Sequence, residues 1–251
     1  MKRISILFML CLFCAVSAAQ PGFLAGQSRY PRVRAAVEEK GEAIDARLAA
    51  HGLDKEQVHI LITAYKTEGV LEIHAKNKGE TVYRKIAEYA ICARSGRPGP
   101  KRRQGDRQVP EGFYHIDRFN PASNYHLSLG IDYPNAADRM RSGPDNPGGD
   151  IFIHGSCVTI GCLPMTDDRI QEIYLYAVYA RNNGQTRIPV YIFPFRMEEE
   201  TLAAALRRWG ADGELAGFWN NLRQGYDLWR DSGEELRVRI DRQGNYAFGP
   251  E

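Results

Sequence analysis

Short β-branched and aromatic runs, each closed by turn residues, leave this chain little choice but a sheet-centred core. Val58–Tyr65, Val70–Ala75, Ile86–Cys92, Gly112–Asp117, Tyr125–Leu129 and Pro189–Phe193 read as strands, with Thr67-Glu68-Gly69 as the first turn. Helical spacing is concentrated at the flanks. Arg29–Leu53 places Val33, Ala36, Val37, Ile44 and Leu48 on one face, and beyond Pro194 the segments Met197–Trp209 and Phe218–Trp229 are amphipathic. Leu236–Phe248 reads as a terminal hairpin around Gln243-Gly244. Ser95–Gly112 and Asp132–Gly149 read as long loops, and Thr166 is placed to cap a helix ahead of the first-turn acids Asp167 and Asp168.

The amino terminus has the layout of an export signal. Met1-Lys2-Arg3 is basic, Ile4–Val16 is apolar and too short for a comfortable membrane span, and Ser17-Ala18-Ala19 offers small residues for cleavage before Gln20. Leu10 and Phe13, which precede Cys11 and Cys14, are too large for a typical lipoprotein cleavage site, so a periplasmic or secreted protein without a transmembrane helix is expected. Once Lys2 and Arg3 are removed, basic and acidic residues balance at 31 each, which argues against nucleic-acid binding through bulk charge. The remaining cysteines are Cys92, Cys157 and Cys162; an odd number in an exported chain implies a free thiol, or one disulfide with one thiol left over.

Within Ile151–Met165 an apolar run breaks at His154-Gly155 and reaches Gly161-Cys162 eight residues after the histidine. A strand feeding a tight loop displays reactive side chains well. His154 and Cys162 are a suitable pair for thiol catalysis, because an imidazole can take the thiol proton and stand beside the thiolate as a cation. That pairing predicts alkylation of Cys162 below the pH at which a free thiol reacts.

Four ordered motifs carry a family resemblance: Gly-Asp-x-Gln-x-Pro-Glu-Gly-Phe-Tyr at 105–114, Asn-Pro-x-Ser at 120–123, Asp-Tyr-Pro-Asn-Ala at 132–136 and His-Gly-x-Cys-Val-Thr-Ile-Gly-Cys at 154–162. The chain resembles L,D-transpeptidases of the YkuD type, and among them the YafK-like branch, over roughly residues 57–195. The resemblance implies a mainly β fold, an L,D-transpeptidase-like β-sandwich with a helix after the nucleophile loop and helical extensions at both ends. The organisation it implies is a signal peptide at 1–19, a helical segment at 20–56, a catalytic domain at 57–195 and a helical extension with a short hairpin at 196–251.

Carried across residue by residue, Cys162 matches the nucleophile, His154 the base, and Gly161 the glycine whose backbone lies against the substrate carbonyl. The group orienting His154 is either a side chain or a backbone carbonyl. Thr159, Tyr125, His126 and Arg139 are candidate substrate contacts; Tyr125 and His126 could equally be packing residues. Lys101, Arg107 and Arg139 read as solvated charges that stem-peptide carboxylates could use. Here Thr159-Ile160 stands where most members have Ser-His, and Pro164 where they have a polar residue.

The resemblance therefore implies a cysteine acyl-enzyme acting on peptidoglycan stem peptides without a cofactor. It would be an amidase that can release a protein linked to diaminopimelate, or an L,D-transpeptidase that crosslinks stems or attaches a protein. A non-catalytic cell-wall-binding module is the reading from another class. Two bland alternatives concern the cysteines themselves: a Cys157–Cys162 disulfide, and a zinc site using His154, Cys157 and Cys162.

Overall fold

The computed structural model describes residues 22–210 and 213–249; the export segment at 1–19 lies outside them. Helices α1 (Phe23–Gln27) and α2 (Pro31–Ala50) lead into β1 (Val58–Tyr65), β2 (Val70–Asn77) and β3 (Arg84–Ala90). Then come β4 (Gly112–Asn120), β5 (Ser128–Ile131), α3 (Ala136–Arg141), β6 (Phe152–His154), β7 (Leu163–Pro164) and α4 (Asp167–Asn182). β8 (Pro189–Phe193), α5 (Glu199–Trp209), α6 (Gly213–Ser232), β9 (Val238–Ile240) and β10 (Tyr246–Phe248) complete the described chain.

The principal sheet has eight strands in the order β3-β2-β1-β8-β4-β5-β6-β7. Its pairs are antiparallel except β1–β8 and β6–β7, which are parallel. Both faces are covered, which is why β1 and β8 are apolar almost throughout. On one face Ile60, Ile62, Ala64, Val190 and Ile192 pack with α2 and α4. On the other, Leu61, Tyr65, Tyr191 and Phe193 pack with α5 and α6 through Leu202, Phe218, Trp219 and Trp229. Neighbouring residues fall into different cores, as the two-residue period of a strand requires.

The sheet curls until its two edges meet. Cys92, just past β3, donates its N–H to the Pro164 carbonyl of β7 at 3.0 Å, and a disulfide joins Cys92 to Cys157. Helix α4 lies inside this curl, with every residue from Ile170 to Ala180 buried. A helix enclosed all round carries no strong amphipathic stripe. The Thr166 hydroxyl accepts from the Arg169 N–H and caps its start, as its position ahead of Asp167 and Asp168 anticipates.

The mainly β expectation holds, with the layers continuous through one large sheet. Two local differences bear on the site. The segment 132–149 is not wholly loop: Asn135 and Asp138 form a reciprocal capping box that starts α3. β5 begins at Ser128 rather than Tyr125, because His126 sits at φ +65° in the preceding turn. Among the described residues no helix is long and apolar enough to cross a membrane.

Candidate functional site

His154 ends β6, and Cys162 immediately precedes β7. The parallel register pairs Ile153 with Leu163 and His154 with Pro164. By strand alternation, His154 and Cys162 therefore project from the same sheet face, offset by two residues on neighbouring strands. Strand spacing and rise put their Cα atoms roughly 8 Å apart.

His154 is buried, and its Nδ1 lies 2.6 Å from the Gly155 carbonyl. A carbonyl only accepts, so Nδ1 carries the proton and the lone pair of the neutral ring is on Nε2. The orienting group is thus a backbone carbonyl, one of the two possibilities left open by the sequence. Tyr125 packs its ring over the imidazole at a centroid distance of 4.7 Å.

Burial lowers the His154 pKa from its ordinary value, opposed by the Gly155 hydrogen bond. Burial pushes the Cys162 thiol up; the backbone at Phe152 and the charge of Lys101 oppose the shift, and the Asp150 carboxylate adds to it. The thiol also faces the Asp150 carbonyl, with Sγ 3.7 Å from the oxygen. Both shifts favour the neutral forms of the two groups. This corrects the resting thiolate–imidazolium pair anticipated from the sequence: desolvation disfavours two separated charges. The sign of the expected pH dependence follows. Iodoacetamide should alkylate Cys162 of the unliganded protein with a midpoint above that of a free thiol, about 8.5. A midpoint well below that value would restore the ion pair.

The loop between His154 and Cys162 is tied down at several points. Cys157 is bonded to Cys92, leaving Cys162 free, so the 157–162 disulfide is excluded in this state and the zinc set loses a ligand. Among the described residues no cluster of three metal-ligating side chains is present. Ser156 and Cys157 both adopt positive φ, and the Asp167 carboxylate accepts the Ser156 N–H at 2.8 Å. Such backbone is costly for non-glycine residues and persists where the surroundings impose it.

Thr159 closes the loop internally. Its Oγ1 accepts the N–H groups of Cys162 at 2.8 Å and Gly161 at 3.1 Å, and it donates to the Cys162 carbonyl at 2.9 Å. Gly161 is at φ +140°, and a Cβ there would stand 3.0 Å from the Gln108 carbonyl, so only glycine lets the loop after β3 approach this closely.

The remaining sequence candidates separate. Tyr125 joins His154, whereas the His126 carbonyl is held by Arg32 of α2 at 2.6 Å and its Nε2 is buried without a hydrogen-bond partner. Arg139 is exposed on α3, whose neighbours Asp138 and Arg141 bind Tyr114 and Gly244 rather than the 155–162 loop. Lys101 is not solvated: it is buried and donates to Asp106 at 2.7 Å, correcting its reading as a surface charge. Pro164 is buried at the sheet edge, where its missing N–H costs no ladder bond. Asp150 is not marked by any sequence signal, Gln108 is marked only by the motif that contains it, and Asp167 is marked only as a first-turn acid of α4, not as a brace of the 155–162 loop.

The L,D-transpeptidase catalytic-domain (YkuD) profile matches residues 60–192, which include all eight principal strands except part of β1 and β8 at the margins, together with His154 and Cys162. The chain is 38% identical over 183 residues to YafK of Escherichia coli K12, a protein named as a candidate L,D-transpeptidase. That alignment covers 72% of this chain and 70% of the relative, and the same figures hold for YafK of E. coli O157:H7. Among solved structures, the helical cell shape determining protein Pgp2 of Campylobacter jejuni superposes with a TM-score of 0.44 at 19% identity, covering 78% of this chain and 80% of that one. On the extent of the catalytic-domain match and the identity to YafK, this chain belongs to the YkuD family of L,D-transpeptidase catalytic domains.

Proposed function

We propose that the protein is an exported cysteine acyl-enzyme acting on peptidoglycan stem peptides, with Cys162 as nucleophile and His154 as base. The observation that carries this reading is the shared sheet face of the two residues, with His154 Nδ1 committed to Gly155 and Nε2 left as acceptor. In the first step, Cys162 Sγ attacks an amide carbonyl as His154 takes the thiol proton. The tetrahedral intermediate then collapses, the C–N bond breaks, and the imidazolium returns its proton to the leaving amine. The lowered pKa of His154 keeps it competent as a base at neutral pH and above. The N–H groups of Gly161 and Cys162 are both taken by the Thr159 hydroxyl oxygen, which fixes the backbone that presents the thiol.

Export is supported by the basic, apolar and small-residue series at 1–19 and by the Cys92–Cys157 disulfide, a bond suited to an oxidising compartment.

Hydrolysis is the favoured outcome. Transfer needs a site that holds an acceptor amine against abundant water. The loop offers little for that purpose: the Thr159 hydroxyl is engaged internally, Pro164 is buried, and the exposed side chains of the loop include the apolar Val158 and Ile160. The amide cleaved is then that between diaminopimelate and an attached amine, including the lysine of a linked protein. Incubation with a lysine-linked stem and excess D-amino acid should yield mainly the free stem carboxylate. Predominant incorporation of the D-amino acid would make the protein a transpeptidase.

A further inference from the structure

Between the loop after β3 and the end of α5 lies a recess of about 290 Å³ whose walls include Arg94, Ser95, Arg97, Arg208 and Trp209. Lys66 also reaches it, but that ammonium is matched by Glu111 at 2.9 Å. Among the described residues no carboxylate lines the recess and none of the three arginines forms an ion pair. Arg94 donates to the Glu68 carbonyl at 2.9 Å, and its guanidinium occupies the space a Cβ on Gly69 would fill. Arg208 lies over the Trp209 ring at 4.6 Å. Of Arg97 only the backbone N–H is engaged, by Gln108 Oε1 at 2.9 Å. The Ser95 hydroxyl oxygen is buried with no hydrogen-bond partner, so a donor sits unused in the same wall.

Three exposed guanidinium groups on one concavity give it a positive potential that draws an anion. Guanidinium forks match a carboxylate, and an indole face offers a flat wall for the carbon chain that bears it. A second recess shares Arg97 and Pro98 and is lined also by Arg102, Arg103, Glu214 and Gln108, whose carbonyl lies against Gly161. The geometry points to a carboxylate-binding subsite at Arg94, Arg97, Arg208 and Ser95 that holds an acidic peptide away from the reacting bond. This deepens the proposed function and rests on it for the statement that the peptide's other end reaches Cys162.

The test uses the full-length Cys162→Ala protein, in which binding is measured without turnover. It is titrated calorimetrically with a stem tetrapeptide carrying free carboxylates and with the same peptide amidated. The free acid should bind at least tenfold more tightly than the amide. Arg97→Gln and Arg208→Gln, each with an unchanged melting temperature, should weaken the acid about tenfold and leave the amide unaffected. Equal affinity for the two peptides, or no change in either arginine variant, would overturn the subsite. Arginine-dependent binding to phosphatidylglycerol vesicles without peptide binding would assign the recess to phosphate and overturn the peptide. Carbapenem acylation of the wild-type protein is run in parallel. If acylation fails while carboxylate binding holds, the Cys162 mechanism falls and the subsite stands; the converse result removes only the subsite.

Discussion

Replacing Cys162 with alanine should lower turnover by about 10⁴–10⁶-fold, the scale on which an enzyme loses rate when its nucleophile is removed. The fold should survive. Among the described residues Cys162 is the cysteine outside the disulfide; it is only partly buried, and its backbone is held by Thr159 rather than through its own side chain. The informative contrast is Cys157→Ala. That change breaks the tie to Cys92 and should cost about 2–5 kcal/mol of stability, as for loss of a native disulfide, while Cys162 remains able to take an acyl group. Steady-state turnover and chemical denaturation of the two variants separate chemistry from scaffold. Comparable catalytic losses in both would mean that loop placement, not the thiol, dominates the rate.

The second large effect is expected far from the reacting atoms. Glu111 is wholly buried and accepts from Lys66 Nζ at 2.9 Å, from the Gly99 N–H at 2.7 Å and from Trp219 Nε1 at 2.9 Å. Lys66 also donates to the carbonyls of Gly99 and Val109, so the two side chains pin both ends of the 99–109 loop and connect it to α6. Burial lowers the Lys66 pKa, and the Glu111 carboxylate opposes that shift. Glu111→Ala would leave a buried ammonium uncompensated, at a cost of about 3–5 kcal/mol. Against a total stability of about 5–15 kcal/mol this is a large fraction. Urea denaturation should show the loss. Because Gln108 of the same loop packs against Gly161, carbapenem acylation should slow as well. A change below about 1 kcal/mol would mean that the network contributes little to the fold.

The parts of the structure legible in the sequence are those dictated by short-range pattern. Val58–Tyr65 and Pro189–Phe193 form strands over the ranges their β-branched runs suggest, and Thr166 caps α4 where its acidic followers indicate. The features that escaped depend on contacts distant in sequence. Cys92 pairs with Cys157 because the curl of the sheet brings β3 to β7, and no spacing rule reports that. α3 was hidden by the Pro and Gly residues around it, although Asn135 and Asp138 carry a readable cap. Ionisation of the His154 and Cys162 pair turned on burial, which residue types alone do not reveal. The placement of Thr159 as an internal brace, and of Lys101 in a buried ion pair, likewise became visible only with the loops in place.

The proposed reaction requires Cys162, served by His154, to form a thioester with its substrate's acyl group. Intact-protein mass spectrometry with peptide mapping, after incubation with a carbapenem at neutral pH, tests it most directly. One covalent adduct is predicted, located on the peptide containing Cys162, absent from Cys162→Ala and formed more slowly in His154→Gln. An unmodified wild-type protein, or an adduct located at any other residue, would rule out Cys162 as the nucleophile.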